Sequence, residues 1–231
     1  GLWGLENLSL IPGTVGSSPA QNIGAYGVEL KDVFVSLSAL DMTTLDVVEI
    51  SKEGCDFGYR DSLFKKEAGR YCIISVRIQL SKKFSPVLQY KPLDSLLGKE
   101  NLTPLEVRNL VVSTRTAKLP DWKQYPNAGS FFKNPVITNL ESKTLRSKYP
   151  EIPLIPHLEG FKIPAAWLIE HVAIMKGIKV KDLGTWPNQP LVVVNYGKAS
   201  ADDIDGLAGE IRSKILEKTG IILEQEVNRV G

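Results

Sequence analysis

Two hydrophobic periodicities divide this sequence and restrict the folds that it can adopt. In residues 33–39 and 72–80, apolar side chains occupy every second position, which is the period of a strand with one buried face. Helical spacing appears only later, first in residues 103–115 and again in residues 200–220. Strands followed by a mixed region of helices and strands predict the α+β fold class.

The early segments predict one antiparallel sheet. Residues 33–39 and 47–50 lie on either side of a polar turn, which is typical of a hairpin. The alternating apolar positions of the next strand are Cys72, Ile74, Val76, Ile78 and Leu80. The segment 57–65, with the sequence FGYRDSLFK, is therefore expected to connect two strands of this sheet.

Capping patterns indicate where two of the helices begin. Thr103 stands before Pro104 and three residues before Glu106, which is the arrangement of a capped helix start. Ser200 and Asp203 repeat the same capping pattern before a second run with helical spacing.

Three further segments complete the C-terminal half. Residues 164–177 predict a helix with Pro164 at its N1 position and Gly177 after its end. Residues 190–195, PLVVVN, predict a buried strand, and residues 221–227, IILEQEV, predict a final strand.

Composition argues against several classes of protein. The formal net charge of +2 is too small an excess to favour binding to nucleic acid or to a membrane surface. Two cysteines and two histidines are too few for a disulfide framework or a dedicated metal site. No apolar run has the length of a membrane span, so we expect a cytoplasmic protein.

Several polar segments allow more than one interpretation. The glycine-rich segment 11–27 offers backbone amides that can hold an anion, but it lacks the lysine of a phosphate loop. Arg60 suits a carboxylate or a phosphate, and it is equally able to form a surface ion pair with Asp61. Ser130 follows a glycine and has no adjacent base, which is also typical of a turn residue.

Two charged groups are equally open. Basic residues outnumber the single acid Asp121 between residues 113 and 133; they are Arg115, Lys118, Lys123 and Lys133. This excess is adequate for a diphosphate and is also typical of a solvated loop. Glu224 and Glu226 share one face of the last predicted strand, where burial would raise the pKa of a carboxyl group.

Six motifs in a fixed order resemble the UDP-N-acetylenolpyruvoylglucosamine reductase family, also called UDP-N-acetylmuramate dehydrogenase. They are GLENLSLIPGTVGSSPAQNIGAYG, FGYRDSLFK, AKLPD, NAGSFFKNP, AAWLIE and LEQEV. Because they are spread over the whole chain, the ordered set is far more specific than any one motif. The resemblance implies reduction of UDP-N-acetylglucosamine enolpyruvate to UDP-N-acetylmuramate in peptidoglycan synthesis, with NADPH as reductant of bound FAD.

The resemblance implies three catalytic residues. Arg60 would hold and polarise the substrate carboxylate, Ser130 would donate a proton, and Glu226 would assist enol stabilisation or proton delivery. Hydride addition at the enolpyruvyl C3 pushes charge onto C2 and its carboxylate. A fixed positive charge and a hydrogen-bond donor therefore lower the barrier of such a reaction.

The resemblance also implies binding residues. For the substrate they are Tyr59, Tyr90, Lys118, Asn134 and Gln189. For the flavin they are Pro12, Gly13, Ser17, Ser18, Ile23 and Gly27. The tyrosine in PVLQY places the chain in the longer of the two subtypes of the family, in which a loop closes over the uridine diphosphate.

The resemblance further implies three parts. Residues 1–117 would be the C-terminal part of a vanillyl-alcohol-oxidase-like FAD-binding domain, residues 118–220 an α+β substrate-binding domain, and residues 221–231 a terminal strand returning to the active site. Members of the family carry further N-terminal residues that hold the flavin pyrophosphate. We therefore expect that N-terminal flavin-binding segment as a partner, weak or no flavin binding, and no turnover by the isolated chain.

Two alternatives remain open. Another flavin oxidoreductase of the same fold group would share the fold but not the motifs NAGSFFKNP and LEQEV. A folded nucleotide-sugar-binding fragment would bind the enolpyruvate substrate without oxidising NADPH.

Overall fold

A computed structural model describes residues 1–229 and divides the chain into two compact units. Unit 1 is Gly1–Arg115 and unit 2 is Thr116–Gly231. The boundary falls inside the helix Pro104–Lys118. Both units contain helices and strands, so the α+β class expected from the sequence is confirmed.

Unit 1 is built around a three-stranded antiparallel sheet. The strands of unit 1 are β1 (Gly24–Ala25), β2 (Val28–Glu29), β3 (Phe34–Asp41), β4 (Val47–Ser51) and β5 (Tyr71–Ile78). Its helices are α1 (Leu63–Lys66), α2 (Pro104–Lys118) and the 3-10 turns Glu6–Leu8, Leu30–Asp32 and Leu93–Leu96. β1 pairs with β2, and the sheet has the order β4-β3-β5. The hairpin and the third strand expected from the alternating pattern are therefore confirmed.

Two bulges decide which residues of this sheet face the core. In the pairing of β3 with β5, Val35 and Ile74 are each skipped between successive partners. A bulge shifts the side-chain alternation by one residue. Ile73 consequently packs against the core beside Leu37, while Ile74 is 59% exposed. The expectation that Cys72 and Ile74 share the buried face is therefore wrong, since both are exposed.

Unit 1 contains two hydrophobic clusters. The cluster under the sheet has the buried residues Leu30, Phe34, Leu37, Ala39 and Cys55. The cluster beneath α2 has the buried residues Trp3, Leu88, Leu93, Leu102, Val107 and Val111. At the start of α2, the Thr103 hydroxyl accepts from the Glu106 amide at 3.3 Å, and the Glu106 carboxylate accepts from the Thr103 amide at 2.9 Å. The capping box expected from the sequence is confirmed.

Unit 2 contains two small sheets and one continuous core. Its strands are β6 (Asn127–Ser130), β7 (Val136–Ile137), β8 (Ile155–His157), β9 (Gly160–Lys162), β10 (Lys179–Val180), β11 (Leu183–Trp186) and β12 (Gln189–Asn195). Its helices are α3 (Asn139–Lys148), α4 (Ala165–Trp167), a π-helical turn (Leu168–Val172) and α5 (Ala201–Thr219). The sheets have the orders β10-β11-β12-β6 and β7-β9-β8. The core cluster includes Phe132, Leu168, Ile211 and Leu223.

The α5 helix has both ends that the sequence predicts. The Ser200 hydroxyl accepts from the Asp203 amide at 3.2 Å, and the Asp203 carboxylate accepts from the Ser200 amide at 2.8 Å. Gly220 ends the helix with a φ of 74°, a conformation that glycine adopts readily. The capping pattern and the helix are therefore confirmed, as is the buried strand now identified as β12.

The helix expected over residues 164–177 is shorter than the sequence predicts. Pro164 is the N-cap residue, and α4 passes at Leu168 into a π-helical turn that ends at Val172. Ile174 then has a φ of 55°, which is incompatible with a continuing right-handed helix. The chain therefore leaves the helix before Gly177.

The C-terminal segment runs beside the residues that follow β6. The Glu226 amide donates to the Phe131 carbonyl at 2.8 Å, and the Lys133 amide donates to the Glu224 carbonyl at 2.9 Å. Within the described residues this pairing is a single isolated bridge, between Phe132 and Gln225, and not a longer ladder. The end of the terminal strand expected at 221–231, residues 230 and 231, lies outside the described residues.

Candidate functional site

Buried polar side chains hold the loop that carries Arg60 in unit 1. Asn22 is fully buried, and its Nδ2 donates to the Gly58 carbonyl at 3.0 Å. The buried hydroxyl of Ser62 donates to the Ala20 carbonyl at 2.6 Å. Satisfied hydrogen bonds of buried groups strongly specify local geometry. Both ends of the loop are therefore fixed to the segment before β1.

Arg60 itself has an unusual backbone conformation. Its φ is 55°, in the left-handed region that arginine seldom adopts. Its Nη2 donates to the Gly24 carbonyl at 2.7 Å, and its Cζ lies 5.2 Å from the centre of the Tyr59 ring. A Cβ at Gly24 would lie 2.7 Å from Arg60 Nη1, so a side chain at this position would displace the guanidinium from its present place. The Asp61 carboxylate lies 3.6 Å from Lys66 Nζ.

Tyr90 and Gly27, two of the expected binding residues, are in contact. Gly27 lies at the turn between β1 and β2 with a φ of 83°, and a Cβ there would lie 2.7 Å from Cε2 of Tyr90. Tyr90 is 46% exposed, so one part of its ring covers Gly27 and another part is accessible. Ile23 lies nearby in sequence, packs against the cluster under the sheet, and accepts from the Leu30 amide at 2.8 Å.

The remaining residues expected to contact the flavin are Pro12, Gly13, Ser17 and Ser18. The two serine hydroxyls make local hydrogen bonds: Ser17 Oγ accepts from the Thr14 amide at 3.0 Å, and Ser18 Oγ donates to the Val15 carbonyl at 2.6 Å. Gly13 has a φ of 112°, and a Cβ there would lie 2.9 Å from Ser17 Oγ. Within residues 1–229 the Gly13 amide has no hydrogen-bond acceptor. The segment thus offers backbone donors, while its hydroxyls are engaged within the turn.

In unit 2 the backbone places Glu226 beside Phe131, the residue that follows Ser130. Ser130 is the last residue of β6 and lies opposite Val192 of β12. The carbonyl of the following residue, Phe131, accepts the Glu226 amide. Ser130 is exposed and Glu226 is half-buried, while Phe131 and Phe132 are buried with ring centres 5.2 Å apart.

The two glutamates of LEQEV have different surroundings. Glu224 is 68% exposed at its side chain and forms an ion pair with Lys133 across the same pair of segments. Glu226 is half-buried.

The three other expected substrate residues lie on different elements of unit 2. Asn134 Oδ1 accepts from the Ala165 amide at 2.8 Å, so this side chain satisfies the first amide of α4. Gln189 is the first residue of β12 and is half-buried. Lys118 is the last residue of α2 and is exposed. No hydrogen bond joins these three side chains in the described part of the chain.

Other kinds of site find no support in residues 1–229. No group of three histidine, cysteine, aspartate or glutamate side chains there is arranged to hold a metal ion. No helix there is long and apolar enough to cross a membrane. Cys72 is exposed, and burial raises the pKa of the Cys55 thiol to about 11.

Sequence reasoning missed the residues that position Arg60. Asn22, Ser62 and Gly24 carry no reactive group of their own, and each acts by fixing or making room for a neighbour. The available signal was that all three lie inside the motifs that resemble a known family.

Comparisons with known proteins connect these features to one family. A family sequence profile described as "UDP-N-acetylenolpyruvoylglucosamine reductase, C-terminal domain" matches residues 121–230. The UDP-N-acetylenolpyruvoylglucosamine reductase of Pseudomonas putida is 46% identical over 232 residues, covering 99% of this chain and 68% of that protein. The enzyme of the same name from Escherichia coli K12 is 44% identical over 233 residues, covering 100% of this chain and 68% of that protein.

A solved structure agrees at the level of the fold. The UDP-N-acetylenolpyruvylglucosamine reductase from Thermus caldophilus matches with a TM-score of 0.64 at 24% sequence identity, over 99% of this chain and 64% of that chain. The chain thus spans about two thirds of the length of the relatives that it matches. On the identity and coverage of these curated relatives, the chain belongs to the UDP-N-acetylenolpyruvoylglucosamine reductase family.

Proposed function

We propose that this chain supplies the C-terminal part of an enzyme that reduces UDP-N-acetylglucosamine enolpyruvate to UDP-N-acetylmuramate for peptidoglycan synthesis. NADPH is the reductant, FAD mediates the transfer, and the reaction takes place in the cytoplasm. The observation that carries the proposal is 46% identity to a named reductase over 99% of the chain. Residues 1–117 then belong to a vanillyl-alcohol-oxidase-like FAD-binding domain, residues 118–220 bind substrate, and residues 221–231 return to the active site.

Arg60 is proposed to bind and polarise the substrate carboxylate. A guanidinium keeps its charge at all physiological pH values and offers paired donors that match a carboxylate. The hydrogen bond to the Gly24 carbonyl and the contact with the Tyr59 ring support this role, because they hold the side chain before any ligand arrives. A group that is already oriented stabilises developing charge without reorganising during the reaction.

Ser130 and Glu226 are proposed to deliver the proton. In the described residues the Ser130 hydroxyl makes no hydrogen bond, so its proton is available to a ligand. The half-buried Glu226 is attached to the neighbouring carbonyl of Phe131. In this proposal the hydroxyl gives its proton to C2 of the enol, and the carboxylate, carried by the segment that pairs with Phe131, assists the transfer.

Five side chains are proposed to bind the rest of the substrate. Asn134 supports this assignment most directly, because Ala165 occupies its Oδ1 and thereby leaves its Nδ2 to donate to a ligand. Tyr90 presents the accessible part of its ring. Tyr59, Lys118 and Gln189 supply a second aromatic ring, a cation and a carboxamide.

The residues present fit part of a flavin site. The Gly13 amide, which meets no acceptor in residues 1–229, suits an anionic or carbonyl oxygen of the cofactor, and Gly27 is proposed as a second contact. Pro12, Ser17, Ser18 and Ile23 are proposed as the surrounding contacts. When bound, FAD would accept hydride from NADPH and release it to C3 of the enolpyruvyl group.

Substitution of Ser130 in the full-length protein tests the proposal. For Ser130→Ala we expect reduction of the flavin by NADPH to continue, while substrate turnover falls by about 10²-fold or more, the usual contribution of a proton donor. The measurements are the flavin absorbance in single turnover and the steady-state rate. Ser147→Ala, at an exposed position of α3, is the matched control and should change neither. Equal loss of both half-reactions in Ser130→Ala would assign the serine a structural role.

A second candidate is a binding module without catalysis. It is favoured by one observation, namely that Lys118, Asn134 and Gln189 all lie in unit 2. Calorimetry with the 231-residue chain separates the two. Binding of UDP-N-acetylglucosamine enolpyruvate with no NADPH oxidation, even after the N-terminal flavin-binding segment is added, would favour the module. Restored NADPH consumption would favour the reductase.

A further inference from the structure

The backbone alone holds Glu226 only weakly in unit 2. Within the described residues, the C-terminal segment (residues 221–229) joins the residues after β6 through one isolated bridge, between Phe132 and Gln225. In that pairing the Glu226 amide donates to the Phe131 carbonyl at 2.8 Å. A single bridge leaves a segment open to local fraying, because few hydrogen bonds have to break. Side-chain contacts therefore matter for the position of Glu226.

Burial of apolar side chains sets the register of this segment only as far as Leu223. Ile221 and Leu223 are buried in the core of unit 2, whereas Glu224 is exposed. Residues 225–227 are all half-buried, so burial no longer distinguishes the two faces of the chain there. A slip of one residue would carry each side chain to the opposite face. A contact outside the core would therefore help to specify the face on which Glu226 lies.

An ion pair two residues before Glu226 supplies such a contact. The Glu224 carboxylate pairs with the ammonium group of Lys133, which follows β6. The Lys133 amide also donates to the Glu224 carbonyl at 2.9 Å, so backbone and side chain join the same two residues. The Lys133 side chain is only 17% exposed, which restricts the positions that its ammonium group can take. In a register shifted by one residue, Glu224 would face away from Lys133 and the pair would be lost.

A second set of ion pairs lies three residues after Glu226. The Arg229 guanidinium donates to the carboxylates of Asp202 and Asp205 at 2.7 and 2.5 Å. Both aspartates lie near the start of α5, a helix whose inner face is buried in the core of unit 2. Because they are three positions apart, they lie on one face of the helix and one guanidinium can bridge them. The segment is therefore attached on one side of Glu226 to the chain after β6 and on the other side to α5.

We propose that Lys133 and Arg229 are positioning residues, which through these ion pairs hold Glu226 where it assists proton delivery. The inference rests on the proposed function, because the role of Glu226 in proton delivery is itself proposed there. Exposed ion pairs contribute little to the free energy of unfolding, so their effect is on the placement of one segment. A shift of a catalytic group by about 1 Å can cost on the order of 10²-fold in rate, so a small displacement of Glu226 is sufficient.

Hydrogen exchange in the 231-residue chain tests the placement of Glu226 without any need for activity. We expect Glu224→Gln and Arg229→Gln each to speed exchange of the Glu226 amide about threefold or more, while the amides of β12 keep their protection. Glu210→Gln is the matched control, because it breaks an exposed ion pair with Lys214 within α5 and should leave this exchange unchanged. Unchanged exchange in the first two variants, or equal acceleration in the control, would overturn the inference.

Kinetics of the full-length protein test the consequence for the reaction. We expect Glu224→Gln and Arg229→Gln to lower kcat for substrate reduction about fivefold or more, with KM and the rate of flavin reduction by NADPH changed less than about twofold. Lys133→Arg keeps the charge and should retain most of the rate, whereas Lys133→Met should lose it. Combining Lys133→Met with Glu224→Gln should cost no more than Lys133→Met alone, because both changes remove the same ion pair.

The kinetic results separate positioning from general damage and from a failure of the proposed function. Equal loss of both half-reactions, or losses that add in the double variant, would contradict a positioning role. If the unmodified full-length protein reduces no substrate, the proposed function fails. The exchange of the Glu226 amide still reports in that case whether the ion pairs hold the segment.

Discussion

The position of Arg60 depends on side chains that solvent does not reach. Asn22 makes three hydrogen bonds through its carboxamide, to Gly58, Glu29 and Lys31. At the other end of the loop, the Ser62 hydroxyl donates to the Ala20 carbonyl. Neither residue is proposed to react with the substrate. Their contribution is to keep a charged side chain in one place, which is what electrostatic catalysis requires.

We expect Asn22→Ala to lower the stability of unit 1 by about 2 kcal/mol or more, because the substitution leaves buried groups unsatisfied. Hydrogen exchange of the β3 amides measures this loss. Asn109→Ala, at an exposed position of α2, is the matched control, with an effect within about 0.5 kcal/mol. Similar protection factors in the two variants would show that the Asn22 hydrogen bonds do not hold the loop.

At the scale of the element, sequence rules predicted the helices, strands and turns that depend on neighbouring residues. The hairpin, the capping boxes of α2 and α5, and β12 each depend on neighbouring residues, and each was found. The bulges of the β3-β5 pair were missed because they are set by the pairing of strands far apart in sequence. The early end of the 164–177 helix was missed because tertiary packing overrides helix propensity there.

The bulge at Ile74 gives a prediction that simple alternation would reverse. We expect Ile73→Ser to destabilise unit 1 by about 2 kcal/mol or more, since Ile73 packs on the core. Ile74→Ser should change stability by less than about 1 kcal/mol, since Ile74 is 59% exposed. Urea unfolding of the two variants provides the measurement. A larger loss for Ile74→Ser would mean that the strand has the unbulged register.

At the scale of the whole molecule, each unit has its own core. Unit 2 packs α3, α4, α5 and β12 around one cluster, with Leu168 and Ile211 completely buried. A domain with its own hydrophobic core can in principle fold alone. Unit 1 divides its apolar residues between two smaller clusters.

We therefore expect residues 116–231 to fold in isolation and to unfold in one cooperative transition, which calorimetry can measure. Ile211→Ala in this fragment provides the matched variant, with an expected loss of about 2–5 kcal/mol. A fragment that shows no transition, or an Ile211→Ala variant as stable as its parent, would contradict an independent core.

The candidate site was predictable from sequence only in part. The motifs supplied the residue types, and the backbone pairing of unit 2 sets Glu226 beside the residue that follows Ser130. The roles of Asn22 and Ser62 depend on burial, which a single sequence does not reveal.

The left-handed backbone at Arg60 costs stability at a residue for which we propose a catalytic role. Glycine or asparagine would adopt its φ of 55° with less strain, by about 1 kcal/mol, and would remove the guanidinium. Directed evolution for heat resistance alone should therefore discard this arginine, whereas selection for cell-wall synthesis should keep it. A variant that gained heat resistance by losing Arg60 is therefore expected to lack the proposed reductase activity.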